Sequence, residues 1–360
     1  MADQKQRRVN ILLPNFGLRP VGGFKIAYIY ANHLAANGYR VTVIHEVCSD
    51  FQKKPEHIVQ YARDLLKLAS GEKNWFRFHK AVHCRYVFDL NRRTIPDADV
   101  TIATMWKTAV VLDTLRHAGK KVYLIQHYET WSGRKQDVDE TWHYDMEKIV
   151  ISKWLLDIGR KMNCSRMTYI PNAINCHKFR VYRDIEDRDC TVSMLYSHDS
   201  NFKDSKTGLA VLKKVREQIP ELKVKLFGVD RRTGSIPKWM EYYENPKQEV
   251  LVKEIYNRSS VFLCTSTCEG WGLPPMEAMA CGCAVVTTDN GGIRDFAMDG
   301  QTALVRNVKD TEALAGAVIK LLSESDQRIR MAYAGMRCVR KFTWKKSFDQ
   351  FDEVIDGGIS

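Results

Sequence analysis

Two series of short apolar, β-branched runs, each followed by a longer amphipathic stretch, constrain this chain more than any other feature. The first series reads VNILLP, VTVIHE, DVTIAT, KVYLIQH, KIVIS and MTYIP. The second reads TVSMLYS, LKVKLFG, SVFLCTS, CAVVTTD and TALV. Short runs without polar alternation suit strands covered on both faces, and helix-length spacers between them suit parallel crossovers. The polar, proline-marked segment IPNAINCHKFRVYRDIEDRDC separates the two series and predicts a domain boundary near residue 185. The expected fold class is α/β, with two Rossmann-like doubly wound domains, 1–185 and 186–342, and a C-terminal helix, 343–360, packing back towards the N-terminal domain. Ligands of such sheets bind beyond the carboxyl ends of the strands, so two facing sheets predict an active site in a central cleft.

Composition narrows the class. The 360 residues suffice for two domains of roughly 150 each, and 44% hydrophobic content supports two cores. Apolar runs stay short of the ~20 residues that span a bilayer, and the start MADQKQRRVN lacks the apolar stretch of a signal peptide. The expected location is cytoplasmic, where the ten cysteines stay reduced. Cys264, Cys268, Cys281 and Cys283 lack zinc-ligand spacing, and the D-x-D strings Asp97 to Asp99 and Asp137 to Asp139 read as solvated loop or cap residues, so no metal site is expected. Residues 1–185 hold 30 Lys and Arg against 18 Asp and Glu, whereas residues 186–360 hold 25 of each. The net charge of +12 therefore belongs to the N-terminal half and points to an anionic partner, or to a merely solvated surface.

The stretch CTSTCEGWGLPPMEAMACG joins a buried strand, a glycine-rich loop and a helix with prolines in its first turn. A glycine loop feeding a helix N-terminus suits an anion such as a diphosphate. Glu269 and Glu277 flank it, and carboxylates accept hydrogen bonds from sugar hydroxyls. A nucleotide sugar has both groups. Taken singly, Glu277 reads as a helix-dipole partner and Glu269 as a loop charge; the agreement of loop, prolines and following strand favours the site.

EGWGLPPME resembles the E-x7-E signature of retaining glycosyltransferases of the GT-B fold, family four. PNFGLRPVGGFKIAYIYANHLAANGYRVTVI resembles that family's N-terminal glycine loop and first helix, IPNAINCHKF its domain junction, and DNGGIRDFAMDGQTALV the strand and loop after the signature helix. The resemblance implies that Glu277 accepts hydrogen bonds from the donor ribose. It also implies that Glu269, with the backbone of Gly270, Trp271, Gly272 and Leu273, holds the transferred sugar, and that Lys206 contacts the diphosphate. His127 matches a histidine over the transferred sugar and joins Glu269 as an expected catalytic residue. Gly22 and Gly23 would let the first loop approach the donor phosphate or acceptor. YSHDSNFKDSK lacks the family's phosphate-binding arginine, so Lys203, Arg231 or Arg232 is expected to replace it.

The implied reaction moves a sugar from a nucleotide diphosphate sugar to a glycan or lipid-linked acceptor, with retention and without metal or other cofactor. Another enzyme of the GT-B fold, a sugar-nucleotide epimerase or a phosphorylase, is the rival within the fold. A nucleic-acid-binding protein is the rival outside it, and the basic residues interleave with aromatics only around NWFRFHKAVHCRY, so nucleic acid is not an expected partner. Residues 56–80 combine a helix candidate carrying Arg63 and Lys67 with Trp75, Phe76 and Phe78. They make an anionic membrane surface a further expected partner, with the enzyme peripheral on the inner face.

Overall fold

A computed structural model describes residues 6–15, 17–18, 20–47, 66, 75–198 and 202–357. The chain forms two units: Met1–Ile151, Leu155–Ile170 and Phe348–Ser360 make the first, Ser152–Trp154 and Pro171–Ser347 the second. The first contains β1 (Arg8–Pro14), β2 (Arg40–Glu46), β3 (Val82–Val87), β4 (Val100–Ala103), β5 (Lys120–Ile125), β6 (Glu147–Val150) and β7 (Met167–Tyr169), in the order β3-β2-β1-β4-β5-β6-β7. The second contains β8 (Thr191–Leu195), β9 (Lys223–Gly228), β10 (Glu241–Glu244), β11 (Val261–Cys264), β12 (Ala284–Thr288) and β13 (Leu304–Arg306), in the order β10-β9-β8-β11-β12-β13. All pairings in both sheets are parallel. The expected α/β class and doubly wound sheets are present in each unit. Strand order reverses between β1 and β4 in one sheet and between β8 and β11 in the other, and these switch points are where such sheets hold ligands.

Every strand expected from the sequence is present. Two further strands, β3 and β10, are edge strands with alternating or partial exposure, so their polar residues hide them from a search for continuous apolar runs. The units divide at residues 170 and 171 rather than at 185. The reason is packing: Ile185 is buried in the second unit's core with Val192 and Leu222. Arg188, also buried, donates to the carbonyls of Tyr256, Ser259 and Cys281 in the same unit. The last helix, α9 once α1 (Gly22–Ala36), α2 (Trp106–Thr114), α3 (Lys135–Thr141), α4 (Lys153–Lys161), α5 (Ser205–Gln218), α6 (Leu273–Ala280), α7 (Thr311–Ser323) and α8 (Ser325–Val339) are counted, spans Trp344–Asp356. Its Phe351 stacks on Tyr30 of α1 at 4.1 Å, and its Asp352 accepts from His33 Nε2 at 2.8 Å.

The loop after β1 differs from the sequence expectation. Gly22 and Gly23 are the first two residues of α1, behind an extended Val21, and Gly23 O accepts from Gln126 Nε2 at 3.1 Å. The glycine this loop requires is Gly17, at φ +62°, where an added Cβ would strike Tyr28 Oη and lie 2.8 Å from His45 Cε1. His45 is fully buried; its Nδ1–H donates to Asn15 O at 2.8 Å, and its Nε2 faces Tyr28 Oη at 3.1 Å. Burial lowers its pKa to about 4, although the hydrogen bond to Asn15 acts the other way. Phe78, Phe76 and Trp75 surround Tyr28 at 4.6, 5.2 and 5.7 Å, and Trp75 Nε1 donates to Gly17 O at 2.7 Å. These three aromatics are half-buried and pack against Tyr28 and the loop carbonyl. Arg63 and Lys67 lie outside the described residues. Among the described residues no helix is long and apolar enough to cross a membrane.

Gly17→Ala combines a left-handed φ with the clash at Tyr28, so it should destabilise the first unit by roughly 1–3 kcal/mol. Thermal unfolding measures the loss; an unchanged melting temperature would contradict the tight packing of this loop.

Candidate functional site: the turn between β11 and α6

β11 and β12 are buried along their whole length, and their carboxyl ends carry the two loops that build the site. The loop after β11 is fixed through its backbone. Thr267 N donates to Phe202 O (2.8 Å), Glu269 N to Asn290 O (2.9 Å) and Gly292 N to Glu269 O (3.2 Å). Trp154 Nε1 donates to Gly270 O at 3.2 Å. Gly292 lies against this turn so closely that a Cβ there would be 2.6 Å from Trp271 N. Trp271 itself turns its side chain into the core, 2% exposed, against Phe296 and Phe342, with Nε1 directed at Met276 Sδ (3.0 Å). Only its backbone serves the turn.

What remains is a row of amides. The N–H groups of Gly270, Trp271, Gly272 and Leu273 donate to no protein acceptor among the described residues. The next two positions, Pro274 and Pro275, have no N–H, and Met276 N already bonds Gly272 O. The donors of this helix end therefore come from the loop and the first residue of α6, with Gly272 at φ +93° turning the chain between them. Consecutive free amides at the positive end of a helix form an anion-binding concavity.

Two sequence-predicted side chains meet beside this row. Lys203 Nζ donates to Glu269 Oε1 at 2.5 Å, and Ser266 Oγ donates to the same oxygen at 2.7 Å. Burial works against the Lys203 charge, but the Glu269 charge and hydrogen bond outweigh it and raise its pKa, so Lys203 is an ammonium at neutral pH. Lys203, Ser266, Glu269, Pro274 and Pro275 border a cavity of about 10 Å³, the room of one water. Lys203 arrives there because Thr265 Oγ1 donates to the carbonyls of Lys203 and Asp204, tying the loop after β8 to the loop after β11. The pair thus sits at the switch point of the second sheet.

Other expected residues fall elsewhere. Lys206 is exposed on the first turn of α5 and makes no hydrogen bond or ion pair among the described residues. Arg232 donates to Met240 O (3.1 Å) and Pro237 O (2.9 Å) within its own loop, and Arg231 is exposed. Glu277 is the fifth residue of α6, one turn in from the helix start. It is 6% exposed and accepts from the buried Tyr256 hydroxyl at 3.3 Å. Burial and then Glu277 raise the Tyr256 pKa well above its usual value, so this hydroxyl remains a donor.

In the first unit, His127 follows β5, half-buried and edge-on to Trp131 at 6.5 Å. Two residues on, Glu129 Oε2 accepts from Trp106 N at 2.8 Å. Burial pushes the Glu129 carboxyl up to about 8, with the Trp106 hydrogen bond opposing. Sequence reading passes over Glu129, although H-x-E at a strand's carboxyl end is visible in QHYETW. The D-x-D strings are engaged structurally: Asp99 accepts from Arg8 N, Asp137 pairs with Arg134, and Asp139 pairs with Lys135.

Residues 203–337 match the family model described as glycosyl transferases group 1. Over 110 residues the chain is 38% identical to alpha-maltose-1-phosphate synthase of Mycolicibacterium smegmatis, covering 29% of this chain and 28% of that protein. It spans about a quarter of the length of several other curated relatives. Over 348 residues it is 24% identical to phosphatidyl-myo-inositol mannosyltransferase of Mycobacterium leprae, covering 91% of this chain and 90% of that one. The Anabaena protein HepE, solved in complex with UDP and glucose, superposes with a TM-score of 0.72 at 13% identity, covering 98% of this chain and all of that one. The fold is GT-B.

Glu129 gives the first unit a pH signature. Its folded pKa lies above the usual 4.5, so the stability it contributes is complete below pH 4.5 and is lost as pH rises through about 8. Glu129→Gln keeps an acceptor for Trp106 N and removes the charge. Its stability should match the parent's near pH 4 and exceed it near pH 9 by on the order of a few kcal/mol, seen as a higher melting temperature. A gap that does not grow with pH would contradict the burial of this carboxyl.

Proposed function

We propose that the protein is a retaining glycosyltransferase of family four that moves a sugar from a nucleotide diphosphate sugar to a glycan or lipid-linked acceptor. The observation that carries this reading is the row of four unpaired amides, 270–273, beside the Lys203–Glu269 pair. Such a row suits a diphosphate, and a carboxylate next to it suits the hydroxyls of the sugar that the diphosphate carries. The names of the relatives, a maltose-1-phosphate synthase and a mannosyltransferase of a lipid acceptor, agree in reaction class.

In this reading the α6 end and Lys203 stabilise the charge that develops on the leaving diphosphate, without a metal. Lys203 takes the role that the family resemblance gave to Lys206, since its ammonium already stands at Glu269. Glu269 holds the transferred sugar, Glu277 the ribose, with Tyr256 fixing the Glu277 carboxylate. His127 in the first unit serves the reacting centre, and the departing phosphate accepts the proton of the acceptor hydroxyl.

A thermal-shift series with UDP, GDP, ADP and dTDP sugars should show one donor that stabilises the protein strongly, in the presence of EDTA. No stabilisation by any of them, or stabilisation only with added manganese or magnesium, would overturn the reading or its metal independence respectively. With that donor, Lys203→Ala should weaken binding about tenfold or more, in line with the loss of a charge-assisted hydrogen bond, while Lys206→Ala should change it less than about twofold. Equal losses would rule out Lys203 as the principal diphosphate contact.

A further inference from the structure

Lys203 and Glu269 would serve different parts of one donor, yet here they are each other's partner. Lys203 Nζ donates to Glu269 Oε1 at 2.5 Å, and Ser266 Oγ donates to the same oxygen at 2.7 Å. At that separation the fields of an ammonium and a carboxylate nearly cancel at a third charge several ångströms away. A diphosphate on the amides of 270–273 therefore gains little from Lys203 for as long as the pair stays closed.

The geometry shows which partner can move. The Glu269 carboxylate is held by Ser266, and its main chain is held by Asn290 O and Gly292 N. Lys203 is tied at its carbonyl, which accepts from Thr265 Oγ1 at 3.2 Å, while its flexible side chain has no partner but Glu269 among the described residues. That side chain keeps 21% of its surface exposed, against 12% for Glu269, so the ammonium has a way out. The cavity at the pair, about 10 Å³, has room for one water. A sugar hydroxyl thus takes the place of the ammonium at Oε1 rather than standing beside it.

We propose that Lys203 is exchanged between two anions, Glu269 and the diphosphate of the donor, and that Glu269 thereby governs release of the product diphosphate. The role in release rests on the transferase reading. As the donor enters, the ammonium turns to the diphosphate and the hydroxyls of the sugar replace it at Glu269. Once the sugar has passed to the acceptor, Glu269 has lost those hydroxyls and recaptures the ammonium. The nucleoside diphosphate then loses its cation and leaves. Glu269 is at once a ligand of the sugar and a competitor of the leaving group for Lys203.

Titration calorimetry of the full chain tests the exchange, with inorganic pyrophosphate as the probe and Glu269→Gln, Lys203→Met and the double variant beside the parent. Glu269→Gln should bind pyrophosphate about tenfold tighter than the parent, and the same substitution should gain less than about threefold on the Lys203→Met background. Simple relief of repulsion gives equal gains on both backgrounds, so equal gains, or no gain, would overturn the proposal. A further measurement leaves Glu269 intact. The ¹⁵N line of the Lys203 ammonium, assigned by its loss in Lys203→Arg, should shift as pyrophosphate is added to the parent; a line that stays in place while pyrophosphate binds would overturn the exchange as well. UDP, GDP, ADP and dTDP, each measured against its glucose or mannose conjugate, test the release. For the nucleotide that binds, Glu269→Gln should tighten the diphosphate and weaken the nucleotide sugar, and movement of both in one direction would overturn the role in release. If no nucleotide sugar binds while pyrophosphate gives unequal gains, the transferase reading fails and the exchange stands; if a nucleotide sugar binds while the gains are equal, the reverse holds.

Discussion

A buried peptide group needs a partner, and the turn between β11 and α6 divides its groups into two sets. The first set, Thr267 N, Glu269 N and the carbonyls of Glu269 and Gly270, is taken by Phe202, Asn290, Gly292 and Trp154. The second set, the amides of residues 270–273, has no protein acceptor among the described residues. Because the first set fixes the turn from neighbouring segments, the second set is held in place without any side chain of its own. The placement of Glu269 and Lys203 depends on the same ties, since Thr265 carries the Lys203 carbonyl and Ser266 the Glu269 carboxylate.

The first unit solves a similar problem with aromatic rings. Tyr28 gathers Trp75, Phe76 and Phe78 and shares a hydrogen bond with the buried, neutral His45, which in turn fixes Asn15. Trp106 gathers Glu129, Ser132 and Gly133. In both places a loop at the carboxyl end of a strand is made rigid by one aromatic residue of a helix. Loops of this kind can carry recognition groups without ordering them at the moment of binding.

Much of this is legible in the chain itself. Central strands such as VFLC and AVVTT are apolar throughout because both faces are covered, and that makes the two sheets readable. VHCRYV and EYYE are not, because an edge strand half in water carries no such run. The signature turn is legible as a unit, since glycines, prolines and carboxylates coincide in sequence. The sequence leaves Lys203 as one of three stand-ins for an arginine, because it and Lys206 are neighbours along the chain and only the tie from Thr265 distinguishes them. The packing of the aromatic segment 75–78 is hidden for a related reason: its partner, Tyr28, lies far away along the chain. The boundary at 185 fails because a polar segment can still deliver one isoleucine to a core.

Main-chain donors also change where the protein is vulnerable. Substituting Trp271 or Leu273 alters packing but leaves their N–H groups in place, so these two residues are poor targets for disabling the turn. Gly292 is different. It belongs to another loop and contributes no atom to the amide row, yet any side chain there would wedge against Trp271 N. A weak point of this amide row therefore lies outside the signature, where drift in sequence would distort the turn while every residue of EGWGLPPME stayed unchanged.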